Sequence, residues 1–353
     1  MNRVIKGRGA TNNPDNRYSA FSREDVDDGW DSPETEAPPL KTTLTVDSAR
    51  SAISYNQSPD VPFDRAVNPY RGCEHGCIYC YARPSHAWLG HSPGLDFESQ
   101  LYYKPDIASL LRRELAARNY QCAPIGLGSN TDCYQPVERK LKLTRQVLEL
   151  LAESHHPAQI ITKSSLVERD LDLLATMAQR QCARVMVSIT TLDPQLSRLL
   201  EPRAAAPKRR LQTIRALAHA GVPVGVLLAP VIPVLTDHEI ENILQQAQQA
   251  GASSARWIML RLPREVAPLF NDWLETHRPL QADRVLARIR DTRGGELYDA
   301  DFKQRMSGSG EYASLLAQRF SIACKRSKLA ESQPLNIVDF RPPPADQRQI
   351  PLL

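Results

Sequence analysis

Asn68-Pro-Tyr-Arg-Gly-Cys73-Glu-His-Gly-Cys77-Ile-Tyr-Cys80-Tyr81 sets three cysteines at the spacing C-x3-C-x2-C in one short loop. The loop grows directly out of the apolar run Ala66–Tyr70, and Gly72 and Gly76 give its backbone room to curl around a ligand. Three thiolates can hold three irons of an iron–sulfur cube and leave the fourth open, whereas structural clusters use four cysteines. An open iron is what a reaction needs if a substrate or cofactor is to bind metal. The competing reading is structural zinc on the three cysteines plus His75, in which the alternation C-x-H-x-C crowds a tetrahedral ion.

Outward from this loop a repeated unit follows: a short apolar run, a polar loop, then a longer amphipathic stretch. The runs are Ala66–Tyr70, Ala123–Leu127, Ala158–Thr162, Val185–Thr190, Val222–Leu228 and Ala255–Leu260. Most are continuous and rich in Val, Ile and Leu, as strands covered on both faces must be. Helical stripes lie between them, Leu141–Val147–Leu148–Leu151 and Leu171–Leu174–Ala175–Ala178. Ser165-x-x-Glu168 and Thr236-x-x-Glu239 read as capping boxes, and Gly221 and Gly251 as left-handed helix ends. Six strand–helix units in series predict an α/β fold, a partial (β/α)6 TIM-type barrel, with a doubly wound open sheet as the rival. In both, ligands bind at the carboxyl ends of the strands.

The remainder of the 353 residues divides around this core. Residues 1–60 read as an irregular N-terminal arm, basic at Lys6, Arg8, Arg17 and Arg23 and acidic from Glu24 to Glu36, with a solvated surface. The core spans 61–264, a helical and more basic extension 265–330, and a Pro-rich tail 331–353. The net charge of +4 is too small to identify a nucleic-acid partner. The polar, basic start is unlike a secretory signal, and the longest apolar run, Val222–Leu235, is broken by three prolines. A cytoplasmic protein without a membrane span is expected. In a reducing compartment the clustered cysteines point to metal or catalysis, while Cys122, Cys133, Cys182 and Cys324 read as small buried side chains.

The loop and the segments GSNTDCYQPVE, TKSSLVERDLDLL, VSITTLDPQLSRLLEPRA and AGVPVGVLLAPVIP together resemble the radical S-adenosylmethionine (SAM) superfamily, in its spore photoproduct lyase-like branch. The resemblance spans about residues 66–235. It implies a [4Fe–4S] cluster on Cys73, Cys77 and Cys80 whose open iron chelates SAM. An external electron donor of flavodoxin or ferredoxin type reduces the cluster, SAM is cleaved, and the resulting radical takes hydrogen from a substrate.

By position the resemblance puts Tyr79 near adenine and Ser129 to Asp132 near the SAM amino group. Lys163 would neutralise the SAM carboxylate, with Arg203 as a second partner. Ser188 and Thr190 would meet the ribose, and the small Ala229 would leave room for adenine. Spore photoproduct lyases carry a hydrogen-donating cysteine early in the loop after the second strand. That position is Ser129 here, and Cys133, four residues on, is the substitute donor. The departure counts against thymine-dimer repair itself and leaves the radical chemistry untouched. Nucleic acid is the first substrate class, favoured by the basic segment Arg203–Arg215 and the basic C-terminal helices. A protein or small-molecule substrate is the second, and a zinc-containing nucleic-acid-binding protein the third.

Overall fold

Continuous apolar runs have nowhere to go but between two layers of cover, and in this chain they become the strands of one parallel sheet. The computed structural model describes residues 5–19 and 40–344. In chain order the strands are β1 Thr43–Val46, β2 Ile53–Tyr55, β3 Arg65–Val67, β4 Tyr70–Arg71 and β5 Gln100–Tyr103. They continue with β6 Ile125–Leu127, β7 Ala158–Thr162, β8 Ala183–Ser188, β9 Val224–Val231 and β10 Ser254–Met259. The larger sheet runs β10-β9-β8-β7-β6-β3-β2, with six parallel strands and β2 antiparallel at one edge. A doubly wound sheet reverses its strand order at a switch point. This order never reverses, so every unit winds the same way and the sheet is part of a barrel.

The six expected runs all lie on these parallel strands, with two local differences. Ala66–Tyr70 divides into β3 and β4, and β4 joins β5 and β1 in a second, three-stranded sheet. The stripe from Leu141 to Leu151 is interrupted at Lys142, whose φ of 53° separates a short turn from the helix Leu143–Glu153. The buried Glu138 carboxylate accepts the Thr144 amide at that break, at 3.1 Å. Val147, Leu148 and Leu151 then face the sheet, fully buried.

Capping differs from the sequence expectation by one position in one helix and entirely in the other. Ser164, not Ser165, caps its helix by accepting the Leu166 amide. Thr236 accepts the Ile232 amide instead, and Glu239 reaches across to the Leu192 amide. Gly221 and Gly251 are left-handed as expected, at φ 75° and 107°.

The N-terminal arm departs furthest from its expectation. It contributes β1 and β2, and β1 escaped detection because all four of its residues are exposed and show no alternation. The acidic stretch Glu24–Glu36 lies outside the described residues. Arg8 to Thr11 are buried, not solvated. The Gly9 and Ala10 amides donate to the Glu98 carboxylate at 3.0 and 2.9 Å, and Arg8 Nη1 donates to the Glu98 carbonyl at 2.6 Å. Gly9 rests so closely on the cysteine loop that a Cβ there would lie 1.9 Å from the Gly76 carbonyl oxygen.

Three helices, Val266–His277, Ala282–Asp291 and Gly310–Arg326, follow β10. The tail then runs extended beneath the sheet, with Ala330 bridged to Ser254 and the Arg341 amide on the Ser154 carbonyl. Among the described residues no helix is long and apolar enough to cross a membrane.

Replacing Gly9 by valine should lift the arm from the loop, because the opposing group is backbone and cannot turn aside. The expected loss is about 1–3 kcal/mol, as for overpacking of a filled core. Urea denaturation, with protease cleavage inside residues 5–19 as a local probe, reads it. An unchanged midpoint and cleavage rate would show that the arm is only loosely laid on.

Candidate active site

The cysteine loop leaves β3 at the carboxyl end of the sheet. Gly72 and Gly76 adopt φ of 76° and 66°, the left-handed turns that fold three cysteines back on one another. Cys73 and Cys77 are buried and Cys80 is partly so, and all seven cysteines are free thiols. Burial and the neighbouring Asp132 push Cys73 up, and burial with Glu201 pushes Cys77 up to about 12 against the pull of Lys163. Thiols held in this way keep their protons until a metal replaces them.

Arg83, fully buried, closes the loop from inside. It donates to the carbonyls of Cys77 (3.0 Å), Gly76 (3.2 Å), Pro93 (3.1 Å) and Gly94 (2.9 Å), and pairs with Glu98 at 2.5 Å. Gln135 holds the other side, accepting the Glu74 amide at 2.9 Å and donating to the Gly72 carbonyl at 3.1 Å.

The strand ends bring most of the expected residues to this loop, several of them in different roles. Asp132 accepts from Thr162 Oγ1 (2.8 Å), the Lys163 amide (2.7 Å) and the Tyr134 amide (2.9 Å), and faces His75 Nδ1 at 3.3 Å. A carboxylate has about four acceptor positions, so Asp132 is filled by the protein. It joins the cysteine loop to β7. Burial alone would raise its pKa, but His75 and the two amides hold it down at about 2. Ser129 offers its carbonyl to the Tyr81 hydroxyl.

Lys163 Nζ projects across the pocket, 5.8 Å over the Tyr79 ring, and donates to Ser188 Oγ at 3.0 Å and the Ala229 carbonyl at 3.3 Å. Ala229 therefore contributes a carbonyl as well as a small side chain, since Ser188 and Thr190 also donate to it, each at 3.1 Å. Arg203 lies at the rim in an ion pair with Glu74 at 3.3 Å. Cys133, the expected hydrogen donor, follows Asp132 but points into the main apolar core, 0% exposed.

Sequence reasoning passed over Glu201 and Arg210. Glu201 is buried, with its carboxylate on Arg210, on the Tyr79 hydroxyl and on Thr190 Oγ1, the last at 2.8 Å. Arg210 also donates to the Ser188 carbonyl at 3.0 Å and the Ala205 carbonyl at 2.6 Å. Within the basic segment Arg203–Arg215, Arg210 is thus spent inside the protein and Arg209 pairs with Glu168 at the surface at 2.6 Å, while Arg203, Lys208 and Arg215 stay exposed. Spacing could have raised Glu201, directly after the short helix Pro194–Leu200 and two residues before Arg203. Nothing in one dimension marked Arg210 as anything but surface charge.

Burial by itself would raise Glu201, but Arg210 and Lys163 hold it at about 2, below the ordinary 4.5. A carboxylate depressed in the folded state contributes its stability above the unfolded value and loses it as pH falls through the folded one. Glu201→Gln should therefore cost about 3 kcal/mol at neutral pH by stranding Arg210. Between about pH 5 and pH 3 the wild type should lose stability more steeply than the variant. Urea denaturation across that range checks both, and parallel curves would show the pair to be neutral.

The Radical SAM superfamily model matches residues 67–247. Uncharacterized proteins of Mycobacterium tuberculosis and Mycobacterium bovis are 39% identical over 221 residues, covering 62% of this chain and 65% of theirs. An uncharacterized protein of Methanocaldococcus jannaschii is 27% identical over 191 residues, covering 54% of this chain and 68% of its own. Among solved structures, a spore photoproduct lyase variant with bound AdoMet and dinucleoside spore photoproduct aligns over 80% of this chain and 79% of that one. Its TM-score is 0.56 at 16% identity, a likeness of fold. With the family match spanning more than half its length, the chain belongs to the radical SAM superfamily.

Proposed function

We propose that this radical SAM enzyme holds a [4Fe–4S] cluster on Cys73, Cys77 and Cys80 and abstracts hydrogen from a nucleic-acid substrate. The observation that carries the reading is the loop itself: three free thiols, no fourth, on glycine turns at the mouth of the barrel. The donor set fits an iron–sulfur cube with one open corner. It fits zinc less well, since His75, the fourth ligand such an ion would take, is turned onto Asp132 at 3.3 Å.

When bound, cluster and SAM together supply a carbon radical, fed by an external one-electron donor of flavodoxin or ferredoxin type. The chain's own residues bind, orient and shield. Lys163 offers a cation at the pocket floor to the SAM carboxylate, held in place by Ser188 and the Ala229 carbonyl. Tyr79, pinned by Glu201, presents a fixed ring beside it. Arg83, Glu98 and the arm seal the far side of the loop against water. Two observations support a nucleic-acid substrate: the dinucleoside in the structurally similar lyase and the cationic, aromatic rim at Tyr81.

Anaerobic reconstitution, followed by dithionite reduction with SAM, tests the assignment. About four irons per chain are expected, with loss of iron and of 5′-deoxyadenosine in Cys73→Ala. One zinc per chain with SAM left intact would overturn it. Damaged and modified oligonucleotides are the first substrates to screen.

A further inference from the structure

Arg261 stands two residues beyond the end of β10, at the carboxyl end of the sheet where the cysteine loop also lies. Its guanidinium sits 5.2 Å over the ring of Tyr81, the residue that follows Cys80. The side chain is half-buried, and its Nε is buried without a partner. Nη1 reaches the thioether sulfur of Met306 at 3.5 Å, a weak acceptor. Among the described residues it has no oxygen acceptor at hydrogen-bonding distance.

The neighbouring arginines have oxygen partners by contrast, although Arg293 Nε, like that of Arg261, is buried without one. Arg305 takes both oxygens of Asp60, at 2.5 and 2.6 Å, and Arg293 donates to the carbonyls of Gln304 at 2.8 Å and Leu260 at 2.9 Å. Asp60 spends one position of each oxygen on Arg305 and acts on Arg261 only through its charge, from beyond hydrogen-bonding distance. The rim thus holds a cation whose Nη2 meets no protein acceptor among the described residues and whose Nη1 meets only a thioether. Beside it lie two half-exposed aromatic faces, Tyr81 at 47% and Phe302 at 45%, the latter 4.4 Å beneath the Arg305 guanidinium.

A forked guanidinium is matched by two oxygens on one atom, as in phosphate or carboxylate. Flat apolar faces flanking it add what a nucleic-acid strand supplies and an acidic peptide does not, namely bases to stack. We propose that Arg261 is the anion anchor of the substrate pocket. It would hold a phosphodiester of a nucleic-acid strand while Tyr81 and Phe302 offer their faces to the adjoining bases. The proposal rests on the nucleic-acid reading above and assigns a specific residue to it.

The test is binding of a short fluorescein-labelled single-stranded DNA to the reconstituted protein, followed by anisotropy over a range of salt concentrations. Arg261→Ala should weaken binding about tenfold and reduce the slope of log affinity against log salt by about 0.7, one phosphate contact on a single strand. Arg261→Gln, which keeps the polarity and the first part of the stem but not the charge, should do the same if the alanine variant folds poorly. Arg326→Ala, at the exposed end of the last helix, should leave both quantities near wild type. DNA binding that is indifferent to Arg261 would overturn the anchor and leave the nucleic-acid reading standing. Absence of DNA binding would remove both, and if poly-glutamate bound in its place and lost affinity with Arg261→Ala, the anchor would be one for an acidic peptide.

Discussion

The Asp132 carboxylate is the joint on which the pocket turns. It takes the Thr162 hydroxyl and the Lys163 amide from the end of β7, the Tyr134 amide from its own loop and His75 from the cysteine loop. A loop carrying three thiols must be held at a fixed distance from the strand ends that face it. A single anion accepting from both sides supplies that constraint at low cost in chain length. Holding it ionised while buried requires the surrounding donors, which offset the desolvation that would otherwise neutralise it.

Two further buried ion pairs flank the joint. Arg83–Glu98 lies behind the loop and Arg210–Glu201 beside it, with both carboxylates fully buried. Such pairs contribute little net stability compared with apolar packing, yet removing one partner is severe because a lone buried charge remains. Their geometry suggests where the constraint is useful. Glu98 fixes the loop carbonyls through Arg83 and draws the N-terminal arm down through two amides. Glu201 fixes the Tyr79 hydroxyl and, through Thr190, the Ala229 carbonyl that Lys163 also contacts. Apolar residues could fill the same space but could not orient these groups.

The barrel mouth consequently divides by electrostatics. The inner wall is self-satisfied: nearly every charged group there already has a protein partner. Arg261 departs from this, since among the described residues it has no oxygen acceptor and lies over the Tyr81 ring.

The order of the parallel strands and the place of the cysteine loop were legible in the sequence. Both depend on local quantities: continuous apolar runs that need cover on two faces, and three thiols within eight residues. Lys163, Ser188 and Ala229 were legible by the same argument, since each sits at or near the end of a strand. What the sequence could not decide was which polar groups would satisfy one another. Tyr79 and Glu201 are 122 residues apart, Gly9 and Glu98 are 89 apart, and Arg305 and Asp60 are 245 apart. No periodicity links such pairs, so Asp132 read as a free acceptor, Arg209 and Arg210 as a basic face, and the start of the chain as a solvated arm. Only the folded chain brings those partners together, because burial leaves a charged or polar group no solvent to turn to and makes pairing obligatory.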